Sequence, residues 1–325
     1  MSSLILPLLK EAIRQNASDV HLIAGEKPMC RKEGELEELD ASPLPERELE
    51  EDIMELLSSE QKKQWKETLE LDMALSMGDI RFRLNIHQQE RKIGLSARVI
   101  PRDIPTMEAL HFEPFLHTIP QIAHGLVLVV GPTGSGKSTT IAAFVEAINQ
   151  SRKSHIITIE DPIEFIFHDK QSLIEQREVG VDTQSFGSAL KHVLRQDPNV
   201  IVVGEMRDPE TIATVLTAAE TGHLVFSTLH TSSAAEAIER IVDVFDGAKQ
   251  KQVLIQLAAV LRVVIAQQLL PGQGGKRVPA REILVNTPAI SNLIRENNIA
   301  QIGNAMQTGR DDGMITMRQA IAQLA

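Results

Sequence analysis

Eight residues constrain this chain more than any others: Gly131-Pro132-Thr133-Gly134-Ser135-Gly136-Lys137-Ser138. They match the spacing GxxxxGK[ST], follow the apolar run Leu126 to Val130, and precede a helical pattern from Thr139 to Asn149. The spacing has a mechanical reason. Glycines let backbone N–H groups converge on phosphate oxygens without Cβ obstruction, and the following helix turns its positive end toward the same anion. Lys137 reaches the β- and γ-phosphates, Ser138 offers its hydroxyl to Mg²⁺, and Thr139 completes the first helical turn. A glycine-rich turn with no ligand is the bland alternative, and it is disfavoured because strand, motif and helix stand in register. The pattern therefore predicts a nucleotide site with Mg²⁺.

The surrounding chain has the periodicity that such a loop needs. Leu126 to Val130, Ile156 to Ile159, Val200 to Val203 and Leu224 to Phe226 are short apolar runs without polar alternation, as in strands buried on both faces of a parallel sheet. Helical stretches such as Ala189 to Arg195 separate them. From about residue 250 the chain reads as mostly helical, with a turn-rich hairpin candidate at Pro271 to Pro279. The first hundred residues read differently. Leu4, Leu8, Leu9, Ala12 and Ile13 recur at helical spacing, Asp19 to Ile23 alternates like a half-buried strand, Glu46 to Leu57 is helical, and Asp79 to Asn85 and Gly94 to Ile100 read as strands. Pro101-Arg102-Asp103-Ile104-Pro105 suits a linker, because two prolines in five residues continue neither helix nor strand. The expected organisation is a small α+β domain over residues 1–100, a linker over 101–108, and an α/β domain over 109–325.

Phosphoryl transfer also needs an acid near the metal and a group that orients water. In parallel sheets ligands sit beyond the carboxyl ends of the strands. Two such ends carry acids: Glu160-Asp161-Pro162-Ile163-Glu164 and Gly204-Glu205. Glu205 and Glu160 are the candidates for the metal beside Ser138, and Glu164 is the candidate base; Glu164 and Glu205 could exchange roles. Acids after strands also serve as helix caps, a second reading that stays open for Glu160. His223 and His230 bracket Leu224 to Leu229. Seven extended steps put them roughly 23 Å apart, too far to share one metal. Each reads either as a group that senses the γ-phosphate or as a hydrogen-bonded core histidine. Arg81, Arg83 and Arg98 lie on two expected strands of the small domain. They form either a solvated face or a surface reaching a nucleotide held by a neighbouring subunit.

Composition narrows the function classes. Lys and Arg number 33 against 44 acids, a net charge of −11, and there are nine Phe, one Trp and no Tyr. That balance disfavours a nucleic-acid partner. The excess is local: the stretch Glu33 to Glu60 holds 12 acids and the single base Arg47, so the rest of the chain is neutral. One cysteine, Cys30, supplies neither a disulfide nor repeated zinc-ligand pairs, which fits a reducing cytoplasm. No run approaches the roughly 20 apolar residues of a membrane span, so association with a membrane is expected only through partners.

Together these motifs resemble the type IV pilus retraction ATPases (PilT/PilU-type) of the secretion ATPase superfamily. The resemblance rests on Ala17-Ser18-Asp19-Val20-His21-Leu22, the phosphate loop, and Thr158-Ile159-Glu160-Asp161-Pro162-Ile163-Glu164, which is similar to the Asp box. It extends to Val203-Gly204-Glu205-Met206-Arg207-Asp208, similar to the Walker B, and to Thr221-Gly222-His223 through Leu229-His230-Thr231, similar to the His box. It implies a PAS-like N-terminal domain, a RecA-like P-loop ATPase domain and a ring-shaped homo-hexamer with nucleotide between subunits. It also implies that Arg81, Arg83, Arg98, His223 and His230 act at the nucleotide. The function implied is ATP-driven pilus retraction from the cytoplasmic side of the inner membrane, on a membrane platform protein and with or without a paralogous retraction ATPase. Near the C-terminus, Ala289-Ile290-Ser291-Asn292-Leu293-Ile294-Arg295-Glu296 resembles the family's retraction signature AIRNLIRE, with Ser291 in place of its first arginine. That departure, and Arg177 to Thr183, keep an accessory motor open as the alternative. A RecA-like DNA motor is the rival from another class.

Overall fold

The computed structural model describes residues 4–32, 34–78, 80–100, 103–272 and 277–324. Pro101 and Arg102 of the linker stretch, Glu33, Asp79 and residues 273–276 of the hairpin candidate lie outside the described residues. The chain divides into two compact units, Met1–Asp103 and Ile104–Ala325.

The first unit runs α1 (Ile5–Arg14), β1 (Asp19–Ile23), β2 (Met29–Lys32), β3 (Glu35–Glu38), α2 (Glu46–Leu56), α3 (Ser59–Thr68), β4 (Glu70–Met77), β5 (Ile80–Gln89) and β6 (Lys92–Ile100). Its strands form an antiparallel sheet in the order β3-β2-β1-β6-β5-β4. Alternation along each strand splits the sheet into two faces. Val20, Leu22, Phe82, Leu84, Ile86, Leu95 and Ala97 pack with Ile5, Leu9, Leu49, Ile53 and Trp65 of the helices into one core. Helix α1 has no side-chain cap of its own at Leu4. Asp52, buried on α2, supplies it: its Oδ2 accepts the Leu4 N–H at 2.6 Å and the Ile5 N–H at 3.1 Å. A carboxylate at a helix N-terminus satisfies orphan donors and complements the dipole there.

The second unit runs β7 (Gly125–Val130), α4 (Lys137–Ser151), β8 (His155–Glu160), β9 (Leu173–Glu178), α5 (Phe186–Val193), β10 (Val200–Val203), α6 (Pro209–Glu220), β11 (Leu224–Leu229), α7 (Ala234–Asp243) and α8 (Gly247–Val260). It continues with β12 (Leu261–Pro271), β13 (Arg277–Val285), α9 (Pro288–Arg295), α10 (Ile302–Thr308) and α11 (Met317–Leu324). The sheet order is β13-β12-β7-β11-β10-β8-β9, parallel throughout except for the β12–β13 pair. The unbroken apolar runs are explained by burial on both faces. On β7, Leu126, Leu128 and Val130 join one core, while Val127 and Val129 join the other. On β10, Ile201 and Val203 divide from Val200 and Val202 in the same way.

The region after residue 250 departs from expectation. It contains helices α8 to α11, but Leu261–Pro271 and Arg277–Val285 are long strands, and β12 lies directly beside the strand that feeds the phosphate loop. Continuous apolar runs suit a buried strand as well as a buried helix. Here Val263, Val264 and Ile265 are β-branched and pair on both sides, with β7 and with β13.

Candidate nucleotide site

The carboxyl ends of β7, β8, β10 and β11 converge, as a parallel register requires: Leu229 pairs with Val130, Val203 with Ser227, and Val203 with Ile159. The phosphate loop, Glu164, Glu205 and His230 each follow one of these ends, and Glu160 closes β8. The loop from Gly131 to Gly136 leaves β7 with positive φ at Gly131, Gly134 and Gly136, and α4 begins at Lys137 with no side-chain cap on its first turn. Ser138 and Thr139 occupy that turn, whose N–H groups are thus available to an anion. Ser135 Oγ, inside the loop, is buried without a hydrogen-bond partner. Lys137 is buried, and its Nζ donates to the carbonyls of Gly131 at 2.8 Å and Pro132 at 3.0 Å. Burial depresses its pKa, against the opposing pull of the Glu164 and Glu205 carboxylates. Both acids therefore act on the loop lysine from separate strand ends.

Glu205 is mostly buried. Its Oε1 lies 2.7 Å from Arg207 Nε and its Oε2 lies 3.5 Å from His230 Nε2. The turn that presents it is pinned by Ser227 Oγ donating to Val203 O at 2.8 Å and Thr228 Oγ1 donating to Gly204 O at 2.5 Å. Glu164 is exposed, and its backbone N–H donates to Glu160 Oε2 at 3.4 Å.

Two expected residues are placed otherwise. Glu160 was a candidate for the metal, but its carboxylate also accepts from Thr158 Oγ1 at 2.7 Å and Gln176 Nε2 at 3.2 Å. Its Oε1 is thus committed to strands β8 and β9 and its Oε2 to the turn that carries Glu164, and burial pushes the carboxyl upward against those bonds. His223 sits at the amino end of β11, beside Gly125 and a strand's length from the loop. Its Nδ1 lies 2.9 Å from Ala218 O and 3.2 Å from Thr221 Oγ1, so within this chain it tethers the C-terminus of α6. His230 alone of the two reaches the site.

Among the described residues, no group of three or more His, Cys, Asp or Glu side chains forms a metal cage. That donor set still fits Mg²⁺, which keeps several waters and is commonly held by few protein oxygens plus substrate phosphates. Ser138 and Glu205 are the oxygens on hand.

Arg81, Arg83 and Arg98 gather on one face of the first unit's sheet. Arg81 and Arg83 are two apart on β5, and Arg83 stands directly opposite Arg98. Arg98 is largely exposed and pairs with Asp19 at 2.7 Å. In Asp19 the bonds from Arg98 and Ser18 outweigh burial and lower the carboxyl's pKa.

Sequence reasoning missed Gln267 and Arg281, both buried on β12 and β13. The Gln267 side chain reaches the loop at Ser135 O, 2.6 Å away. A polar residue inside the apolar run 261–270 was the available signal.

The type II/IV secretion system protein family model matches residues 1–311. The type IV pilus retraction ATPase PilT of Pseudomonas aeruginosa is 46% identical over 98% of this chain and 93% of its own length. A twitching motility protein of Neisseria gonorrhoeae is 44% identical over 98% of this chain and 86% of its own. The crystal structure of the pilus retraction motor PilT with bound ADP superposes with a TM-score of 0.92 at 45% identity, over 98% of this chain and 92% of that one.

Proposed function

The chain belongs to the type II/IV secretion system protein family, and from that premise we propose that it is an ATP-hydrolysing motor powering type IV pilus retraction. The observation that carries the reading is local: a buried lysine folds back onto the carbonyls of a glycine-rich loop, between a buried parallel strand and a helix whose first turn has no side-chain cap. The retraction assignment is supported by similarity to PilT and to the twitching motility protein along almost the whole chain.

The residues divide the work. Loop N–H groups from Gly131 to Gly136 and the first turn of α4 bind the β- and γ-phosphates, and Lys137 exchanges its carbonyl partners for phosphate oxygens. Directly or through water, Ser138 and Glu205 would hold Mg²⁺, which would supply positive charge against that developing on the phosphates. Glu164, exposed on the turn braced by Glu160, orients the attacking water, and Glu205 with His230 beside it is the alternative for that role. Arg81, Arg83 and Arg98 complete the site of a neighbouring protomer in a homo-hexamer, so that nucleotide state changes the disposition of the small domain, for which a PAS-like fold is our assignment. Membrane contact is through a platform protein; among the described residues no helix is long and apolar enough to cross a membrane. We place the ring in the cytoplasm.

Lys137→Ala should abolish hydrolysis in a phosphate-release assay, and ordinary turnover in that variant would end the proposal. Sizing in the presence of ATP tests the ring, and deleting the gene should leave excess, non-retracting pili. Stimulation of hydrolysis by DNA would favour a DNA motor instead. Ser291 favours a second reading, an accessory motor acting beside a paralogous retraction ATPase. Its Oγ donates to Ala258 O at 2.8 Å, tying α9 to α8 where the signature places an arginine.

A further inference from the structure

The phosphate loop rests on a side chain from a strand that the motif does not include. Gln267 of β12 is buried, and its amide makes three hydrogen bonds. Its Oε1 accepts from Thr140 Oγ1 at 2.8 Å and from Arg281 Nε at 3.1 Å, while its Nε2 donates to Ser135 O at 2.6 Å. The orientation is forced. A guanidinium has only donors, so the oxygen must face Arg281 and the NH₂ must face the loop carbonyl. The backbone is close as well: a Cβ on Gly131 would lie 2.2 Å from Gln267 O.

Arg281 of β13 is 1% exposed and is itself held at every edge. Its guanidinium donates to Leu110 O at 2.9 Å, His111 O at 3.2 Å and Glu113 Oε2 at 3.3 Å, and it lies 4.6 Å over the Phe112 ring. Burial lowers its pKa, and Glu113 opposes that shift. Burying a guanidinium is costly unless it is paired and hydrogen-bonded. A chain of contacts thus runs from residues 110–113, through Arg281 and Gln267, to Ser135 in the loop and Thr140 in α4.

We infer that Gln267 is a positioning residue that holds the phosphate loop in its nucleotide-accepting form, and that Arg281 sets Gln267 against the segment 110–113. The inference deepens the nucleotide-site reading above and rests on it. All three hydrogen bonds of the Gln267 amide go to protein groups. By holding the Ser135 carbonyl it fixes the Ser135–Gly136 peptide at the root of α4, and a small displacement of the loop backbone is expensive in binding. A change at the segment 110–113 is therefore expected to reach the loop through Arg281 and Gln267.

The test is ADP affinity by calorimetry and steady-state ATP hydrolysis on the full chain, with Mg²⁺ present. Gln267→Glu keeps the size and both accepted bonds, but turns a carboxylate oxygen toward Ser135 O. The expected result is a roughly 10- to 100-fold rise in both the ADP Kd and the ATP KM, with a smaller change in kcat, whether or not the unfolding midpoint also falls. Glu113→Gln, at the far and partly exposed end of the chain of contacts, should raise KM severalfold in the same direction. Wild-type ADP binding is measured first, and its absence overturns the nucleotide reading and this inference together. Wild-type binding with an unchanged Kd and KM in both variants overturns the inference alone. So does a fall in unfolding midpoint with KM unchanged, because that marks a structural role.

Discussion

Two glycines of the phosphate loop should respond to the same substitution to different extents and for different reasons. Gly131 has φ +149° and a Cβ there would meet Gln267 O at 2.2 Å and Ser135 Oγ at 2.7 Å. Gly134 has φ +77° and a Cβ there meets nothing within 4 Å. Gly134→Ala therefore carries only the strain of a left-handed residue, about 1 kcal/mol. Gly131→Ala adds to a similar strain an overlap with backbone that must move, about 1–3 kcal/mol more, for a total of about 3 kcal/mol. In a unit of this size each kcal/mol is worth roughly 2–4 °C, so the expected falls in Tm are about 3 °C for Gly134→Ala and about 9 °C for Gly131→Ala. Nucleotide binding should reverse the order of interest. The Gly134 methyl projects into the space where phosphate oxygens arrive, so ADP affinity falls steeply in a chain that remains well folded. Scanning calorimetry and an ADP titration on both variants decide the matter. Equal Tm losses would refute the packing argument, and undiminished ADP binding by Gly134→Ala would refute the placement of the phosphates.

Asp52→Ala leaves the Leu4 and Ile5 N–H groups without their acceptor and should cost the first unit about 1–3 kcal/mol by urea unfolding, whereas Asp52→Asn, which keeps an acceptor, should cost less. Asp208 caps α6 by accepting Thr211 N–H at 2.9 Å and Thr211 Oγ–H at 2.7 Å; burial alone would raise its carboxyl, but these bonds win and lower it. Asp208→Ala should therefore cost about 1 kcal/mol at neutral pH. Because the folded pKa lies below the unfolded value of about 3.9, that difference is fully present above the unfolded value and vanishes as pH falls through the folded one, which stability curves across acid pH will check. Glu164→Gln and Glu205→Gln should each lower kcat by about 100-fold or more while leaving ADP affinity within a fewfold, as measured by phosphate release and titration.

What the sequence determined by itself is what is written locally. The phosphate loop is eight contiguous residues whose glycines, lysine and serine act through backbone geometry and one helix terminus, so its chemistry is legible without any distant partner. Strands β7, β8, β10 and β11 were legible for a related reason: double-sided burial leaves an unbroken apolar run, and the acids following those runs are carried to the same edge by parallel pairing. The placement of Glu164 and Glu205 near Lys137 follows from that rule.

Only the tertiary structure decided the rest. The apolar run 261–270 satisfies helix and strand alike, and pairing with β7 on one side and β13 on the other resolved it. Glu160 was legible as an acid after a strand, but its bond from Gln176 depended on β9 lying alongside, and that from the Glu164 N–H on the turn folding back. The separation of His223 and His230 was legible from the strand between them, but that the one at its carboxyl end joins Glu205 and the other caps a helix end was decided by what packs there. Gln267 meets Thr140 and Ser135 across 127 and 132 residues of sequence. Contacts of that separation leave no periodicity and no motif; they exist only because the fold closes the intervening chain and excludes water from the groups it brings together.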